Sequence, residues 1–535
     1  MSKLTNIGVT TDKPGIYSNL PIEQFNVQNK QTCNIFTRIA QFCALIITSM
    51  SFALVIWISL ITIVREGQNA DDEKIPILVF MFVSIVMVMF IRKSIIKKLI
   101  VWARSYRARA ILIIIAFILF ILGLIARFGF LVFDYAPTSD TMQFFKNATS
   151  LSQYNSLNSP TYVAMYPYLF AYNVLLARVF DITGSGLIGI IILNTVFDVI
   201  STFMIGYLIH SLTASRKWQL FTSVVWWISP YNIIFCALSL PIIIVNTLIL
   251  TVLVLFVYLF KNVKHIWRLL ILSAAISVAL VIQDAFRPIT IILIIAILLY
   301  YTVYLFNKGN WRVFRNCIFS IMTIVILSGT LGYSWQQVVN SATGLPTNTN
   351  KQGWSVYVGS NYESNGGWNR NDSDHMENLV QEYDGDYSKA FAMLQREGIE
   401  RWSRLGPVKA IELVINKSIR FAGDIQNMIY NLPGSYPYWK HQDQPMHFMH
   451  IICAIYWLLM LGFTDYKLFI RRKMKEVDYV GFISMLIIGF LLSFMAVEVA
   501  NRYFTILFPM FTVLAVLGFK SLLDSSMSQN SAVSS

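Results

Sequence analysis

Long apolar segments recur along the chain, and short polar stretches with clustered charges separate them. A helix needs about 20 mostly apolar residues to cross a bilayer, because each residue advances it by about 1.5 Å. Segments near that length predict twelve spanning helices, at residues 38–63, 76–92, 110–127, 186–209, 218–236, 240–260, 268–283, 288–306, 314–334, 446–464, 479–497 and 503–520. The pattern therefore predicts an all-α polytopic membrane protein with about 12 transmembrane helices.

The composition changes this picture little, since 56% of the 535 residues are hydrophobic and only 13% are charged. The core of a water-soluble protein of this size does not need so many apolar residues, so the excess apolar residues are expected to face lipid. The net charge of +14 comes from basic residues in the loops between spans. These loops lack the aromatic-interleaved basic stripe of a nucleic-acid surface, which excludes nucleic acid as the expected partner.

Clusters of basic residues predict the orientation of the spans. If the N-terminus is cytoplasmic, the short loops that hold the clusters at 92–109, 261–268 and 467–475 all fall inside. The positive-inside rule requires this arrangement. Two long loops then fall outside: the first long loop, residues 128–185, and the second long loop, residues 335–445. We expect a multi-pass protein of the cell membrane with an extracytoplasmic site.

The same reading predicts how the chain is organised. Both ends are expected to be cytoplasmic tails. The predicted segments are 1–37 (N-terminal tail), 38–109 (two spans and basic loop), 110–334 (core with the first long loop), 335–445 (external subdomain), 446–520 (C-terminal spans) and 521–535 (C-terminal tail).

Within the first long loop, Pro137 is followed by the cap-type residues Thr138 and Ser139 and then by Asp140. This order predicts a surface helix that begins near residue 139, and a second surface helix is predicted over 168–180. Asp140 would lie in the first turn, where the helix dipole favours an ionised carboxylate. It is either a general base or only a helix cap. Asp134 is the alternative carboxylate, for acceptor or metal binding or simply facing water.

The sequence pattern of the second long loop predicts a small subdomain that lies on the membrane surface. A helical pattern over 386–404 is followed by a break at Gly406 and Pro407, and an amphipathic pattern continues over 408–421.

Two arginines lie at span ends on the same predicted side as Asp140. Arg287 belongs to QDAFRPIT, residues 283–290, and Arg502 to EVANRYFTILFP, residues 498–509. Arginine suits phosphate because its planar group donates two hydrogen bonds. The alternative is that both side chains extend from a helix end to the lipid headgroups. Acidic residues lie inside the same apolar flanks, and ionisable residues at membrane depth usually mark a functional site. This favours phosphate binding over contact with the headgroups.

These motifs, together with SNYESNGGWN at 360–369, resemble the GT-C family of polyprenyl-phosphate-sugar-dependent glycosyltransferases. That family includes protein O-mannosyltransferases and aminoarabinose transferases, and the likeness is to its Gram-positive bacterial branch. It runs from about residue 110 to the end of the chain, which implies that the two spans within 38–109 are accessory. In the family, an acidic residue at the start of the first surface helix is the catalytic base, and Asp140 occupies the matching position.

The resemblance implies a GT-C-like helical bundle that transfers a sugar from a polyprenyl-monophosphate donor, with inversion. The acceptor would be a cell-wall polymer, a lipid-linked glycan or a protein, and membrane lipids are the surrounding partners. The residues it implies are the base Asp140 and the substrate-binding residues Arg287, Arg502, Glu498, Asp134, Tyr166 and Tyr503. Tyr168 and Asp284 depart from the family pattern, so the resemblance assigns neither a role.

No cofactor is assigned from the sequence, although a divalent metal is compatible with the predicted site. Two other functions remain open. A transporter or flippase of lipid-linked sugars would use the same spans, and a non-catalytic component of a glycan assembly complex would keep the fold without the chemistry.

Overall fold

The computed structural model describes residues 35–68, 106–132, 137–308, 311–350, 352–421, 443–471 and 478–531. Secondary structure in this part of the chain is helical, and no strand occurs in it. The α-helices in chain order are α1 (Ile35–Gln68), α2 (Tyr106–Phe128), α3 (Ser139–Tyr154), α4 (Pro160–Met165), α5 (Leu169–Thr183), α6 (Leu187–Thr213), α7 (Arg216–Trp227), α8 (Pro230–Cys236), α9 (Ile242–Lys261), α10 (Ile266–Phe286), α11 (Thr290–Lys308), α12 (Trp311–Thr343), α13 (Gly353–Gly359), α14 (Arg370–Glu382), α15 (Tyr387–Arg404), α16 (Gly406–Phe421), α17 (Asp443–Arg471), α18 (Tyr479–Ala496) and α19 (Phe508–Ser531). Two 3-10 helices, Gly129–Val132 and Asn501–Leu507, follow α2 and precede α19.

Among the described residues, nine helices are long and apolar enough to cross a membrane. They are α1, α2, α6, α9, α10, α12, α17, α18 and the continuous helix Arg502–Asp524. The protein is therefore a polytopic, all-helical membrane protein. The predicted span at 76–92 lies outside the described residues, and the apolar part of α11, Thr290–Tyr304, is shorter than a full span. The number twelve stays a prediction.

The segment predicted as one span at 218–236 is not a continuous helix. Helix α7 ends at Trp227, and the short α8 begins at Pro230. Proline has no N–H to continue a helix but fits the first helical position. The Ser229 side chain accepts a hydrogen bond from the Asn232 amide at 3.5 Å and so starts the new helix. The prediction of a single span there was wrong, because it gave the apolar composition of the segment more weight than the helix-breaking proline at position 230.

Both helices predicted in the first long loop are present, as α3 and α5, with the short α4 between them. The two long loops meet at the end of the bundle where α2, α10, α12 and α18 end. We call this end of the bundle the site end. The Asn348 amide donates to the Ala164 carbonyl at 2.9 Å, which joins the second long loop to the first.

Helices α13 to α15 of the second long loop enclose a small core of their own. Its buried members include Trp354, Tyr357, Phe391 and Leu394. The helices predicted at 386–404 and 408–421 are confirmed as α15 and α16. Gly406 separates them with a φ of +72°, a backbone conformation that glycine adopts without strain.

A buried ion pair joins the first helix of the core to the broken segment. Arg127 of α2 pairs with Asp198 of α6, and neither side chain is exposed. Arg127 also donates to the Gly123 and Trp227 carbonyls, each at 2.9 Å. The indole of Trp226 donates to Asp198 at 2.9 Å. The pair therefore ties α2, α6 and the end of α7 together.

We predict that Arg127→Met destabilises the protein by about 3–5 kcal/mol, because it leaves the Asp198 carboxylate buried without its cation. The apparent Tm of the purified protein in detergent measures this. Arg178→Met is the matched control, since Arg178 pairs with Asp181 at 3.0 Å but is 68% exposed. An exposed pair contributes at most about 1 kcal/mol. Equal losses in both variants would contradict the prediction.

Candidate functional site

Arg287 is held in a rigid turn where α10 ends. Pro288 cannot continue the helix, and Arg287 adopts an extended conformation with φ −161° and ψ 128°. The buried Gln283 side chain donates to the Arg287 carbonyl at 2.8 Å and accepts from the Thr290 hydroxyl at 2.9 Å. The backbone that carries the guanidinium is thereby fixed from both sides.

Asp140 lies in the first turn of α3, as predicted. The Thr138 amide donates to the Thr141 hydroxyl at 3.0 Å, which caps the helix start. The Ser239 hydroxyl donates to the Thr141 carbonyl at 2.8 Å and fixes the helix on the loop before α9. Ser139, directly before Asp140, has a φ of +49°, a left-handed conformation that is strained for serine. Such strain persists only where surrounding contacts enforce it.

The Asp140 carboxylate forms an ion pair with the Arg502 guanidinium. Both side chains keep a solvent-accessible part, 38% for Asp140 and 29% for Arg502. Both arginines approach the Tyr503 ring, with the Arg287 guanidinium carbon 4.2 Å and that of Arg502 5.6 Å from its centroid. Two cations and one carboxylate from three distant parts of the chain thus converge at the site end.

Glu498 adds a second carboxyl group to this cluster. Burial raises its pKa above the usual range, and the positive charges of Arg502 and Arg287 oppose that shift. The negative charge of Asp140 raises it further. The environment of Glu498 therefore favours its protonated form more than that of a surface glutamate would.

Three tyrosines of the first long loop border the cluster. The rings of Tyr162 and Tyr166 lie 5.1 Å apart, and those of Tyr166 and Tyr168 lie 6.1 Å apart. Burial raises the pKa of all three phenols, and the charge of Asp140 adds to the shift. The Tyr166 hydroxyl contacts the Met376 sulfur at 3.6 Å, and its ring packs edge-on to Phe391. Tyr166 therefore joins the first long loop to the core of the subdomain.

Lys417, which the sequence analysis did not select, fixes the backbone that leads to Glu498 and Arg502. It lies on α16 and is fully buried. Its ammonium group donates to the carbonyls of Gly359 at 2.9 Å, Met495 at 2.7 Å and Val497 at 2.7 Å. We call this arrangement the lysine clasp. Burial lowers the pKa of Lys417 to about 7, and the nearby Glu498 opposes the shift.

Backbone contacts complete the clasp around residues 495–499. The Trp402 indole donates to the Ala496 carbonyl at 3.3 Å. The Glu498 amide donates to the Ser355 carbonyl at 2.6 Å, and the Val499 amide donates to the Gly366 carbonyl at 2.9 Å. Gly366 has a φ of +68°, and a Cβ there would lie 2.8 Å from the Lys417 side chain. The second long loop thus binds the carbonyls of residues 495–497 and the amides of residues 498 and 499, which could otherwise extend α18.

The structure brings six of the seven sequence-predicted site residues into this region: Asp140, Arg287, Arg502, Glu498, Tyr166 and Tyr503. Asp134 lies outside the described residues. Tyr162 and Lys417 were missed. Tyr162 precedes Tyr166 by one helical turn, a spacing visible in the sequence, whereas nothing local marks Lys417 as buried.

The arrangement can bind an anion and move a proton. Guanidinium groups flank one aromatic ring, and carboxyl groups lie beside them in a partly enclosed setting. Among the described residues, no group of three or more His, Cys, Asp or Glu side chains is placed to hold a metal ion. No protein-family model and no curated protein sequence matches the chain.

We predict that Lys417→Met loosens residues 497–499. The substitution removes three charge-assisted hydrogen bonds, each of which contributes about 1.5 kcal/mol or more. Hydrogen exchange followed by mass spectrometry should show the amides of Glu498 and Val499 exchanging roughly tenfold faster or more. Lys389→Met is the control, because Lys389 is 72% exposed. Unchanged exchange in the Lys417 variant would mean that the clasp does not hold this segment.

Proposed function

We propose that the protein is a GT-C-type membrane glycosyltransferase. It would transfer a sugar from a polyprenyl-monophosphate donor to a glycan, lipid or protein acceptor at the extracytoplasmic face. The observation that carries the proposal is the ion pair between Asp140 and Arg502, with Arg287 across the Tyr503 ring. A base and two phosphate-binding groups at the edge of a spanning bundle are what this reaction needs.

In the proposed reaction, Asp140 takes the proton of the acceptor hydroxyl. The acceptor oxygen forms a bond to the anomeric carbon while the bond from that carbon to the phosphate oxygen breaks. The electron pair of the broken bond stays on the phosphate, and the configuration at the anomeric carbon inverts. Arg287 and Arg502 stabilise the negative charge that develops on the leaving phosphate.

The ion pair adds an order to these events. While Asp140 is paired with Arg502, its carboxylate is bound by the guanidinium instead of an acceptor hydroxyl. A donor phosphate competes with Asp140 for the Arg502 guanidinium. Donor binding thus frees the carboxylate to act on the acceptor.

A transporter or flippase of lipid-linked sugars is the second candidate. The broken segment of α7 and α8, next to the buried Arg127–Asp198 pair, favours it, since transporters use interrupted helices and intramembrane charges. Against it, that ion pair has no exposed side-chain surface and its groups bind protein atoms.

A non-catalytic partner in a glycan assembly complex would share the fold and tolerate loss of Asp140.

We predict that Asp140→Asn lowers sugar transfer by roughly 10²-fold or more, because general base catalysis typically contributes about 10²–10⁴-fold. Transfer is measured with purified protein and a labelled polyprenyl-phosphate-sugar donor. Glu382→Gln, on the exposed end of α14, is the control. Full activity in the Asp140 variant would refute the assignment of the base. Absence of transfer by the wild type with every donor tested would favour the other two candidates.

We predict that Arg502→Ala weakens donor binding by roughly 10- to 100-fold and changes the KM for the acceptor much less. The loss corresponds to one charge-assisted hydrogen-bonding group on the phosphate. Direct titration of the donor and acceptor-dependent kinetics separate the two effects. Arg370→Ala serves as control, since Arg370 is 74% exposed in the subdomain. Equal donor affinity in wild type and Arg502→Ala would disprove the role of this arginine.

A further inference from the structure

Helix α16 carries an apolar stripe that is exposed at one end and buried at the other. Its members follow one another at helical spacing and share one face of the helix: Val408, Ile411, Ile415 and Ile419. Val408 and Ile411 are 77% and 62% exposed. Ile415 is partly buried, and Ile419 packs against the apolar core that the spanning helices form. The stripe is therefore continuous with the part of the molecule that lies in the membrane.

The contacts between α16 and α18 define where α16 lies relative to the bilayer. The span formed by α18 ends at Ala496. The ring of Phe421, at the end of α16, lies 4.9 Å from the ring of Phe494. The Ser418 hydroxyl lies 3.3 Å from the Met495 sulfur. The second half of α16 therefore packs on the last turn of a spanning helix, at the level where that helix leaves the bilayer.

The chain that enters α16 is fixed at the same level. The Trp402 indole, near the end of α15, donates to the Ala496 carbonyl. Tryptophan is enriched at membrane–water interfaces, because its ring is apolar and its N–H is polar. The exposed half of the stripe thus lies between two points of the chain that are both held on the last turn of α18.

A different edge of α16 is polar and is already covered by protein. The Asn416 side chain donates to the Asn365 side chain at 3.0 Å, and Arg420 donates to the Ser364 carbonyl at 3.0 Å. An amphipathic helix whose polar edge binds a polar loop, and whose apolar stripe lies beside the end of a span, is typical of helices in the bilayer interface.

We infer that the bilayer leaflet at the site end covers the exposed part of the stripe, at Val408 and Ile411, and that this contact helps to hold the lysine clasp. Lys417 follows Val408 by nine positions, about two and a half turns, so it lies on the opposite face of the same helix. Burial of the stripe among lipids would press that face onto residues 495–497. The inference concerns a lipid surface and does not depend on the proposed function.

Photocrosslinking of the full chain in the membranes of the expressing cells tests what covers the stripe. The photoreactive residue p-benzoylphenylalanine replaces Val408 or Ile411, one at a time, and the adducts are identified by mass spectrometry. Phe117 of the spanning α2, which is 64% exposed, is the position of the lipid control. Glu382, exposed on α14, is the position of the water control.

We expect phospholipid adducts at positions 408 and 411, as at position 117, and none at position 382. A main adduct to another segment of this chain, to a second copy or to another protein would identify a different occupant and overturn the inference. No adduct at positions 408 and 411, where position 117 reacts, would mean that the stripe faces water, which would also overturn it.

The link to the lysine clasp is tested by hydrogen exchange of the purified protein in nanodiscs. Ile411→Glu places a charge in the stripe, and Gln381→Glu places one on the exposed surface of α14 as the matched control. We expect the amides of Glu498 and Val499 to exchange roughly threefold faster or more in Ile411→Glu alone, with the amides of α14 unchanged. Unchanged exchange at Glu498 and Val499, or an equal rise in α14, would overturn the link. Neither measurement uses sugar transfer, so failure of the proposed function remains distinguishable.

Discussion

The buried ammonium of Lys417 decides where α18 ends, and the position of the charged cluster follows from that end point. The last carbonyls of any helix lack partners within the helix. Here the Lys417 ammonium donates to the carbonyls of Met495 and Val497, and the Trp402 indole donates to the carbonyl of Ala496. With these groups satisfied, Val497 leaves the helix in an extended conformation, with φ −107° and ψ 177°. Glu498 and Arg502 are then carried toward α3.

The second long loop is consequently a structural part of the site. Gly359 and Gly366 let its backbone approach residues 497–499 closely, since a Cβ on Gly359 would lie 2.3 Å from the Val497 carbonyl carbon. The first long loop reaches the same region through α3 and Tyr166. The site is therefore built from four segments that are far apart in sequence: the first long loop, the turn that carries Arg287, the second long loop and residues 497–503.

Local signals in the sequence were enough to place Asp140 in the first turn of α3 and Arg287 at the end of α10. A proline followed by cap-type residues defines the start of α3, and a proline after Arg287 defines the end of α10. These signals act within a few residues, so one sequence reveals them. The break at Pro230 was equally visible, but the long apolar segment around it favoured a continuous span.

Contacts between distant residues could not be predicted in this way. Lys417 lies 58 to 80 positions from the carbonyls that it binds, and a lysine on an amphipathic helix is ordinarily exposed. Asp198 lies 71 positions from Arg127, inside an apolar segment that gives no indication of its partner. Single-sequence patterns predict which elements form, whereas the pairing of buried charges depends on how those elements pack.

The balance of charge in the cluster bears on the proposed reaction. The charges of Arg502 and Asp140 neutralise each other, and burial raises the pKa of Glu498. Arg287 is stacked on Tyr503 instead of being paired in the same way. A phosphate that meets Arg287 first would then share Arg502 with Asp140. In the proposed reaction, the Asp140 carboxylate therefore becomes available to an acceptor hydroxyl once a donor phosphate has taken its place on Arg502.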